Sequence, residues 1–186
     1  MAAVVETRDF PNRQRRWLLA YVAAALPMLH ITAPLAAARR GLQPFDPRRT
    51  APGLRLASTD GRQYDLNELA GRVVVVNFWS VWCTPCKAEM PTLQALQAGI
   101  RPQELIVLGV AVGDDPDQVS RFGRERAVAF PLLTDQERTV ADRWSVAALP
   151  TTDVIDERGR IAFRVIGELD WRGRPTVQRL PSMMRE

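Results

Sequence analysis

Residues 73–86 read VVVVNFWSVWCTPC, and this stretch decides the fold. Its first half, residues 73–79, is apolar except for one asparagine, which is typical of a strand buried on both faces of an α/β sheet. Its second half holds Cys83 and Cys86, the two cysteines of the chain, and residues 84–97 then show one apolar stripe at helical spacing. A Cys-x-x-Cys motif between a strand and a helix indicates redox or metal chemistry.

The supply of ligands argues against a metal site. Structural zinc sites take four ligands, mostly Cys and His, but the chain has two cysteines and one histidine, His30, which precedes the domain. We therefore expect no metal, and no cofactor beyond a redox-active disulfide between Cys83 and Cys86. A structural disulfide is the alternative, since exported proteins often pair their cysteines. It is less favoured because closing so short a loop removes little chain entropy.

The spacing of the motif assigns a role to each sulfur. Cys83 falls at the N-terminus of the helix, where unpaired N–H groups and the helix dipole favour the thiolate. It would attack a partner's disulfide, and Cys86, nearly one turn deeper, would resolve the mixed disulfide. Pro85 suits the first helical turn, and Thr84 tunes the ring between the sulfurs. Trp82 is expected to cover one side of the site, or to be a plain core aromatic.

Glu89 is a third candidate catalytic residue, beside the two cysteines. On a helical wheel it falls about 60° from Cys86, on the apolar stripe. An acid that faces a core has a raised pKa, and it could exchange a proton with the Cys86 thiol. The alternative is a glutamate that turns outward or pairs with Lys87 or an arginine.

The N-terminus has the order of an export signal. Basic residues at 13–16 precede an apolar stretch at 17–29 and three alanines at 36–38, which predicts a signal peptide over residues 1–38. An uncleaved membrane anchor through residues 17–38 is the alternative, because about 20 apolar residues span a bilayer. In both cases the basic flank stays in the cytoplasm, so the domain is periplasmic or extracytoplasmic, secreted or anchored to the cytoplasmic membrane.

Beyond the leader we expect a linker or an extended lead-in over residues 39–50 and one domain over residues 51–186. A hairpin, alternating strands and helices and a closing hairpin together describe a mixed sheet covered by helices. The expected strands cover residues 54–56, 63–66, 73–79, 105–112, 151–156 and 161–166, and the expected helices cover residues 84–97, a segment capped by Asp115, residues 136–144 capped by Asp135, and a short segment after Trp171. Such folds place their chemistry at the carboxyl ends of strands, where Cys83 lies.

The charge pattern argues against a nucleic-acid partner. The net charge is +4 and 25% of the residues are charged, but residues 1–38 carry part of the excess and leave about +2 for the rest. Charges of both signs are interspersed along the domain, which is typical of a solvated surface rather than a nucleic-acid interface.

Residues 82–91, WCTPCKAEMP, together with Leu149-Pro150-Thr151, resemble thioredoxin and, more closely, the exported TlpA/ResA-like branch of thiol-disulfide oxidoreductases. The resemblance covers about residues 51–170. It implies an α/β thioredoxin fold, with a mixed central sheet flanked by helices and an extra N-terminal β-hairpin.

The same resemblance implies roles for the site residues. Cys83 would be the nucleophile, Cys86 the resolving thiol and Glu89 the active-site acid. Pro150 would be a cis-proline, and Leu149 would offer its backbone to an extended substrate by strand-type pairing. The expected substrate-binding residues are Trp82, Thr84, Pro85, Leu149 and Pro150.

Family members in reducing pathways take electrons from a membrane thiol carrier and reduce disulfides in apocytochrome c or copper-site proteins. The resemblance therefore implies an extracytoplasmic protein-disulfide reductase, whose partners are client proteins with disulfides or thiols and a membrane thiol carrier as electron donor. A disulfide oxidant or isomerase on the same scaffold is one alternative, and a non-catalytic thioredoxin-fold binding module is another. The reduction potential separates the first two, and the sequence does not set it.

Two positions depart from the thioredoxin pattern. Asn77 stands where thioredoxin has a buried aspartate, so Glu89 would carry the proton transfer. Asp153 stands at a strand position that is usually apolar. Either a neighbouring arginine satisfies it or it lies by the active site.

Overall fold

A computed structural model describes residues 43–173 and Leu180 of the chain. The expected signal peptide or anchor at residues 1–38 lies outside this part, as does most of the tail after Trp171 with its expected helix. Among the described residues, none of the helices combines the length and the apolar character needed to cross a membrane.

A mixed sheet of six strands forms the centre of the described part, with helices on both faces and a separate two-stranded hairpin. The strands are β1 (Gln43–Thr50), β2 (Arg55–Ala57), β3 (Gln63–Asp65), β4 (Val73–Trp79), β5 (Leu105–Val112), β6 (Leu132–Asp135), β7 (Thr151–Ile155) and β8 (Arg160–Ile166). The helices are α1 (Thr84–Gly99), α2 (Pro116–Glu125) and α3 (Thr139–Arg143), and a 3₁₀ turn covers Leu66–Leu69. The sheet order is β1-β8-β7-β4-β5-β6, and β2 pairs with β3. The expected mixed sheet, flanking helices and N-terminal hairpin are therefore confirmed.

The apolar run places β4 in the middle of the sheet, parallel to β5 and antiparallel to β7. All seven of its residues are buried, as a strand that is apolar on both faces requires. Val75 and Trp79 belong to the core shared with α1 and α2, whereas Val76 and Phe78 belong to the core shared with α3 and the hairpin. The strand that leads into the Cys-x-x-Cys motif is thus held from both sides.

Both helices that follow the central strands begin where the sequence predicts. Cys83 is the N-cap of α1, with Pro85 in the first turn. Asp115 is the N-cap of α2, and its carboxylate accepts the N–H of Asp117 at 2.9 Å. The first turn of α1 therefore lies at the carboxyl end of β4.

Within the segment predicted as a linker or an extended lead-in over residues 39–50, Gln43–Thr50 forms β1. This strand pairs antiparallel with β8, and its register shifts between Pro44 and Arg49. Prolines argue against a central strand, since they donate no ladder hydrogen bond, but they are tolerated in edge strands and at irregularities. β1 is the edge of the sheet, so its prolines and arginines are compatible with pairing along one side.

The region between α2 and β7 also differs from the prediction. β6 was not predicted, since its four residues are too few for a strand pattern, and it pairs parallel to β5. α3 is shorter than the predicted residues 136–144. Asp135 caps it from a distance: its carboxylate accepts the N–H groups of Val140 at 3.1 Å and Ala141 at 2.8 Å. The outer side of β6 is partly covered by the hairpin, because Thr59 donates its N–H to Leu132 O at 2.9 Å.

Candidate active site

Cys83 and Cys86 form a disulfide at the N-terminus of α1, with their Cα atoms 5.2 Å apart. The Cys86 N–H also donates to Cys83 Sγ at 3.2 Å. Cys83 is half-buried, whereas Cys86 is 0% exposed. Cys83 is therefore the more accessible residue of the pair, and Cys86 lies in the core.

Asp114, which follows β5, holds the loop that leads into the motif. Its carboxylate is buried and accepts hydrogen bonds from Ser80 Oγ at 3.0 Å and from the Val81 N–H at 2.9 Å. Ser80 Oγ in turn accepts the N–H of Trp82 at 3.2 Å. One buried carboxylate thus fixes the backbone on the N-terminal side of Cys83.

The residues next to Cys83 in the chain are open to solvent. Trp82 is 76% exposed, so the alternative that it is a core aromatic is wrong. Thr84 and Pro85 are exposed as well. These three exposed residues flank the half-buried Cys83 in the sequence, and their roles in substrate binding remain predictions.

Glu89 lies on the inner face of α1 and is 1% exposed. Its Oε1 accepts from Asn77 Nδ2 at 2.5 Å, and its Oε2 accepts from the Leu169 N–H at 3.1 Å. Burial raises the pKa of Glu89 from 4.5 to about 7, although both hydrogen bonds oppose the shift. The indole of Trp171 also opposes it, and lies near the carboxylate outside hydrogen-bonding geometry. The expected inward orientation and raised pKa are confirmed, and the alternative of an outward or ion-paired glutamate is wrong.

The cis-proline lies beside this site. The Leu149–Pro150 peptide bond is cis, as the resemblance implies. Thr151, the next residue, pairs with Phe78 near the carboxyl end of β4, which brings the proline loop next to the loop of Cys83. Leu149 and Cys83 pack against the same core cluster. Leu149 is half-buried and Pro150 is buried, and substrate pairing at Leu149 remains a prediction.

Asp153 is satisfied by an arginine, which decides between the two alternatives for this residue. Arg164 donates from Nε and Nη2 to the two carboxylate oxygens, both at 2.7 Å, and Nη2 also donates to Trp144 O at 2.8 Å. Asp153 is buried on the sheet face opposite to Glu89. Through Arg164 it therefore links the end of α3 to strands β7 and β8 of the sheet.

Three features of the site were not predicted. They are the hydrogen bonds from Ser80 and Val81 to Asp114, the hydrogen bond from Asn77 to Glu89, and the contacts that the segment after β8 makes with α1. In that segment Leu169 bonds to Glu89, and the Trp171 N–H donates to Thr92 Oγ1 at 3.2 Å. No local pattern signals contacts between residues so far apart in sequence. The side chains of the described residues also offer no cluster of three His, Cys, Asp or Glu groups for a metal ion.

Comparison with known proteins agrees with this geometry. Residues 47–164 match the AhpC/TSA family. The chain is 33% identical over 120 residues to the thiol-disulfide oxidoreductase ResA of Geobacillus thermodenitrificans, which covers 64% of this chain and 69% of that protein. It is 34% identical over 119 residues to ResA of Bacillus subtilis, which covers 64% of this chain and 66% of that protein.

A solved structure shows the same fold. The crystal structure of a DsbF homologue from Corynebacterium diphtheriae matches with a TM-score of 0.68 at 21% identity, covering 79% of this chain and 95% of that one. The family match over residues 47–164 spans the Cys-x-x-Cys motif and the strands that support it. The chain therefore belongs to the AhpC/TSA family of the thioredoxin superfamily and, within it, to the ResA-like thiol-disulfide oxidoreductases.

Proposed function

We propose that this protein works outside the cytoplasm and reduces disulfides of client proteins by dithiol–disulfide exchange through Cys83 and Cys86. The observation that carries the proposal is the asymmetry of the pair. Cys83 is half-buried at a helix N-terminus, whereas Cys86 is buried behind it and within reach of its sulfur. This arrangement suits an attacking thiolate and a resolving thiol.

The reaction begins with the enzyme in its dithiol form. The Cys83 thiolate attacks one sulfur of a client disulfide, so that a mixed disulfide forms and the client's other sulfur leaves as a thiolate. Cys86 then loses its proton and attacks Cys83 Sγ, which releases the client's first sulfur. The client gains two electrons and takes two protons, and the enzyme is left with the Cys83–Cys86 disulfide.

Glu89 serves the second step. Burial of Cys86 disfavours its thiolate, so the thiol needs a base at the moment of attack. Glu89 follows Cys86 by three residues on α1, on the same face of the helix. With a pKa of about 7, its carboxyl group can take and return a proton at neutral pH.

The partners follow from the chemistry and from the leader. Each cycle consumes two electrons, which a membrane thiol carrier would return to the disulfide. The signal-like residues 1–38 support an extracytoplasmic location, secreted or tethered. Apocytochrome c and copper-site proteins are the proposed clients, on the strength of the family resemblance. The redox pair needs no further cofactor for this exchange.

A redox titration of the Cys83/Cys86 pair against glutathione tests the direction of the reaction. We expect a potential at or below about −250 mV, in the range of reductants such as thioredoxin. A potential near −120 mV, which is typical of strong periplasmic oxidants, would reverse the assignment to a disulfide oxidant. An intermediate value with activity on scrambled disulfides would favour an isomerase.

Reduction of insulin tests the roles of the two sulfurs. Cys83→Ser should abolish the activity, whereas Cys86→Ser should accumulate a mixed disulfide with the client. Glu125→Gln, at an exposed position at the end of α2, is the control and should keep the activity of the parent. Full activity in Cys83→Ser would rule out Cys83 as the attacking residue, and an inactive parent protein would favour a binding module.

A further inference from the structure

Two groups from other elements donate hydrogen bonds to the carboxyl group of Glu89, and a third element bonds to one of these donors. Asn77 from β4 donates its Nδ2 both to Glu89 Oε1 at 2.5 Å and to Thr152 Oγ1 of β7 at 2.9 Å. Leu169, in the segment after β8, donates its N–H to Glu89 Oε2 at 3.1 Å. Asn77 and Thr152 are fully buried. Asn77 Oδ1 is buried too and has no partner among the described residues.

The two oxygens of Glu89 meet different kinds of partner. The Leu169 N–H is a backbone donor and cannot become an acceptor. It suits Oε2 as a carboxylate oxygen and equally as the carbonyl oxygen of a neutral acid. A proton on this oxygen would face another proton. The hydrogen bonds therefore direct the proton of neutral Glu89 to Oε1, the oxygen that faces Asn77.

Asn77 is suited to both forms of that oxygen. A side-chain amide carries two donors on nitrogen and an acceptor oxygen. The ionised carboxylate accepts only, so Asn77 must present Nδ2 to it, as the structure shows. A half-turn of the amide would present the partnerless Oδ1 to a protonated Oε1. The Thr152 hydroxyl can follow this change, since it can accept from Nδ2 or donate to Oδ1.

We propose that Asn77 is a positioning residue that matches both protonation states of Glu89: its amide donates to the carboxylate and, after a half-turn, accepts the acid proton on Oε1. The proposal rests on the function proposed above, in which Glu89 takes a proton from Cys86. When the Cys86 thiol becomes a thiolate, its proton moves to Glu89 Oε1 and the Asn77 amide turns. When the proton leaves, the amide returns.

The other groups that face Glu89 do not change polarity in this way. Glu168, in the same segment as Leu169, is a carboxylate whose charge raises the pKa of Glu89. The Trp171 indole is a donor only, and Cys86 is the proton source on α1 itself. Thr152 is neutral. Of these groups, Asn77 is therefore the one that can present either a donor or an acceptor to Glu89 Oε1. The Thr152 hydroxyl acts as its relay, since it can bond to either end of the Asn77 amide.

Nuclear magnetic resonance of the full chain in its oxidised form tests this directly. The Glu89 carboxyl carbon and the Asn77 side-chain amide should titrate with one common midpoint, and in Glu89→Gln the Asn77 amide should stop titrating. The glutamine offers an NH₂ group where the acid offers its proton, so Asn77 should then show the resonances of the low-pH parent. An Asn77 amide that does not titrate with Glu89 in the parent would overturn the proposal.

Two substitutions test the strength of the coupling. Asn77→Leu removes a charge-assisted hydrogen bond from ionised Glu89 and a weaker neutral one from protonated Glu89, so the pKa of Glu89 should rise only by the difference, roughly 1 unit. Thr152→Val exchanges the relay hydroxyl for a methyl group of similar size, and a smaller shift of the Glu89 midpoint is expected. The pH profile of insulin reduction should move with the midpoint in each variant. An unmoved midpoint in Thr152→Val, which is the milder change to the fold, would contradict the relay.

The outcomes are separable from a failure of the proposed function. If the parent protein does not reduce insulin but Glu89 and Asn77 titrate together, the proposed reductase function is wrong and the proposed turn of the Asn77 amide still holds. If the protein is an active reductase but the Asn77 amide stays fixed while Glu89 titrates, the reductase function holds and the proposed turn of the amide is wrong.

Discussion

Asp114 accepts a hydrogen bond from the backbone N–H of Val81 at 2.9 Å, although the two residues are 33 positions apart in the chain. Asp114→Ala would leave this N–H and the Ser80 hydroxyl, both near the motif, without their acceptor. We expect the free energy of unfolding to fall by about 1 to 3 kcal/mol, and kcat/KM for insulin reduction to fall because the loop before Cys83 loses its support. Urea unfolding and the insulin assay measure the two effects.

The neighbouring Asp115 offers a matched control. Asp115→Ala removes the N-cap of α2, which should cost about 1 kcal/mol of stability, but it does not touch the loop of Cys83. We expect nearly full activity in this variant. Equal losses of activity in the two variants would mean that the Asp114 effect is general destabilisation and not positioning.

The elements that sequence reasoning predicted correctly have strong local patterns. β4 is a continuous apolar run, α1 and α2 begin at recognisable caps, and the Cys-x-x-Cys motif marks the site. The strands that were not predicted, β1 and β6, have weak local patterns. β1 contains two prolines and three charged residues and becomes a strand because the edge of β8 is free to pair with it. β6 has four residues, and its pairing with β5 is a tertiary effect that propensity does not capture.

For the site, as for the fold, the features set by local sequence were predicted and the long-range contacts were not. Residues close in sequence, such as Cys83, Cys86 and Glu89, share one helix, so their relationship follows from helical geometry. The partners of Glu89 come from β4 and from a segment 80 positions away. The prediction that Glu89 carries the proton transfer in place of thioredoxin's aspartate did not include the bond from Asn77 to Glu89, because a strand register and a helix orientation must both be known before such a contact can be inferred.

The stability of the oxidised protein should depend on pH through Glu89. The folded protein holds the Glu89 proton up to a pKa of about 7, whereas the unfolded chain releases it near 4.5. The unfolded state therefore binds fewer protons between these values, and the free energy of unfolding falls as the pH rises through this window. The full shift corresponds to about 3 kcal/mol.

Glu89→Gln removes this dependence. Between pH 4 and pH 8 the free energy of unfolding of the parent should therefore fall by about 3 kcal/mol relative to that of Glu89→Gln. Chemical denaturation of both proteins across this range measures the difference. Glu125→Gln, at an exposed position at the end of α2, is the control and should track the parent. A constant difference between Glu89→Gln and the parent would show that Glu89 ionises alike in the folded and unfolded states.

The ion pair of Asp153 and Arg164 is buried, and breaking it should be costly. Arg164→Met would leave the Asp153 carboxylate in the core without its bidentate partner, and we expect a loss of about 3 to 5 kcal/mol in the free energy of unfolding. The double variant Asp153→Val, Arg164→Met replaces the pair with apolar groups and should recover most of this loss. Denaturant unfolding of the three proteins forms the test. A double variant no more stable than Arg164→Met would mean that Arg164 acts through its bond to Trp144 O and not through the carboxylate.

Trp82 should contribute to client binding and little to folding. Trp82 is 76% exposed, so Trp82→Ala removes little buried apolar area. The free energy of unfolding should therefore stay within about 0.5 kcal/mol of the parent. A large exposed aromatic beside a half-buried nucleophile is a typical anchor for a partner chain. We expect KM for insulin to rise several-fold, while the rate with a small disulfide such as cystamine stays unchanged, since a small disulfide needs the sulfur chemistry but not the indole. Equal losses with both substrates would place Trp82 in the chemical step instead of in client recognition.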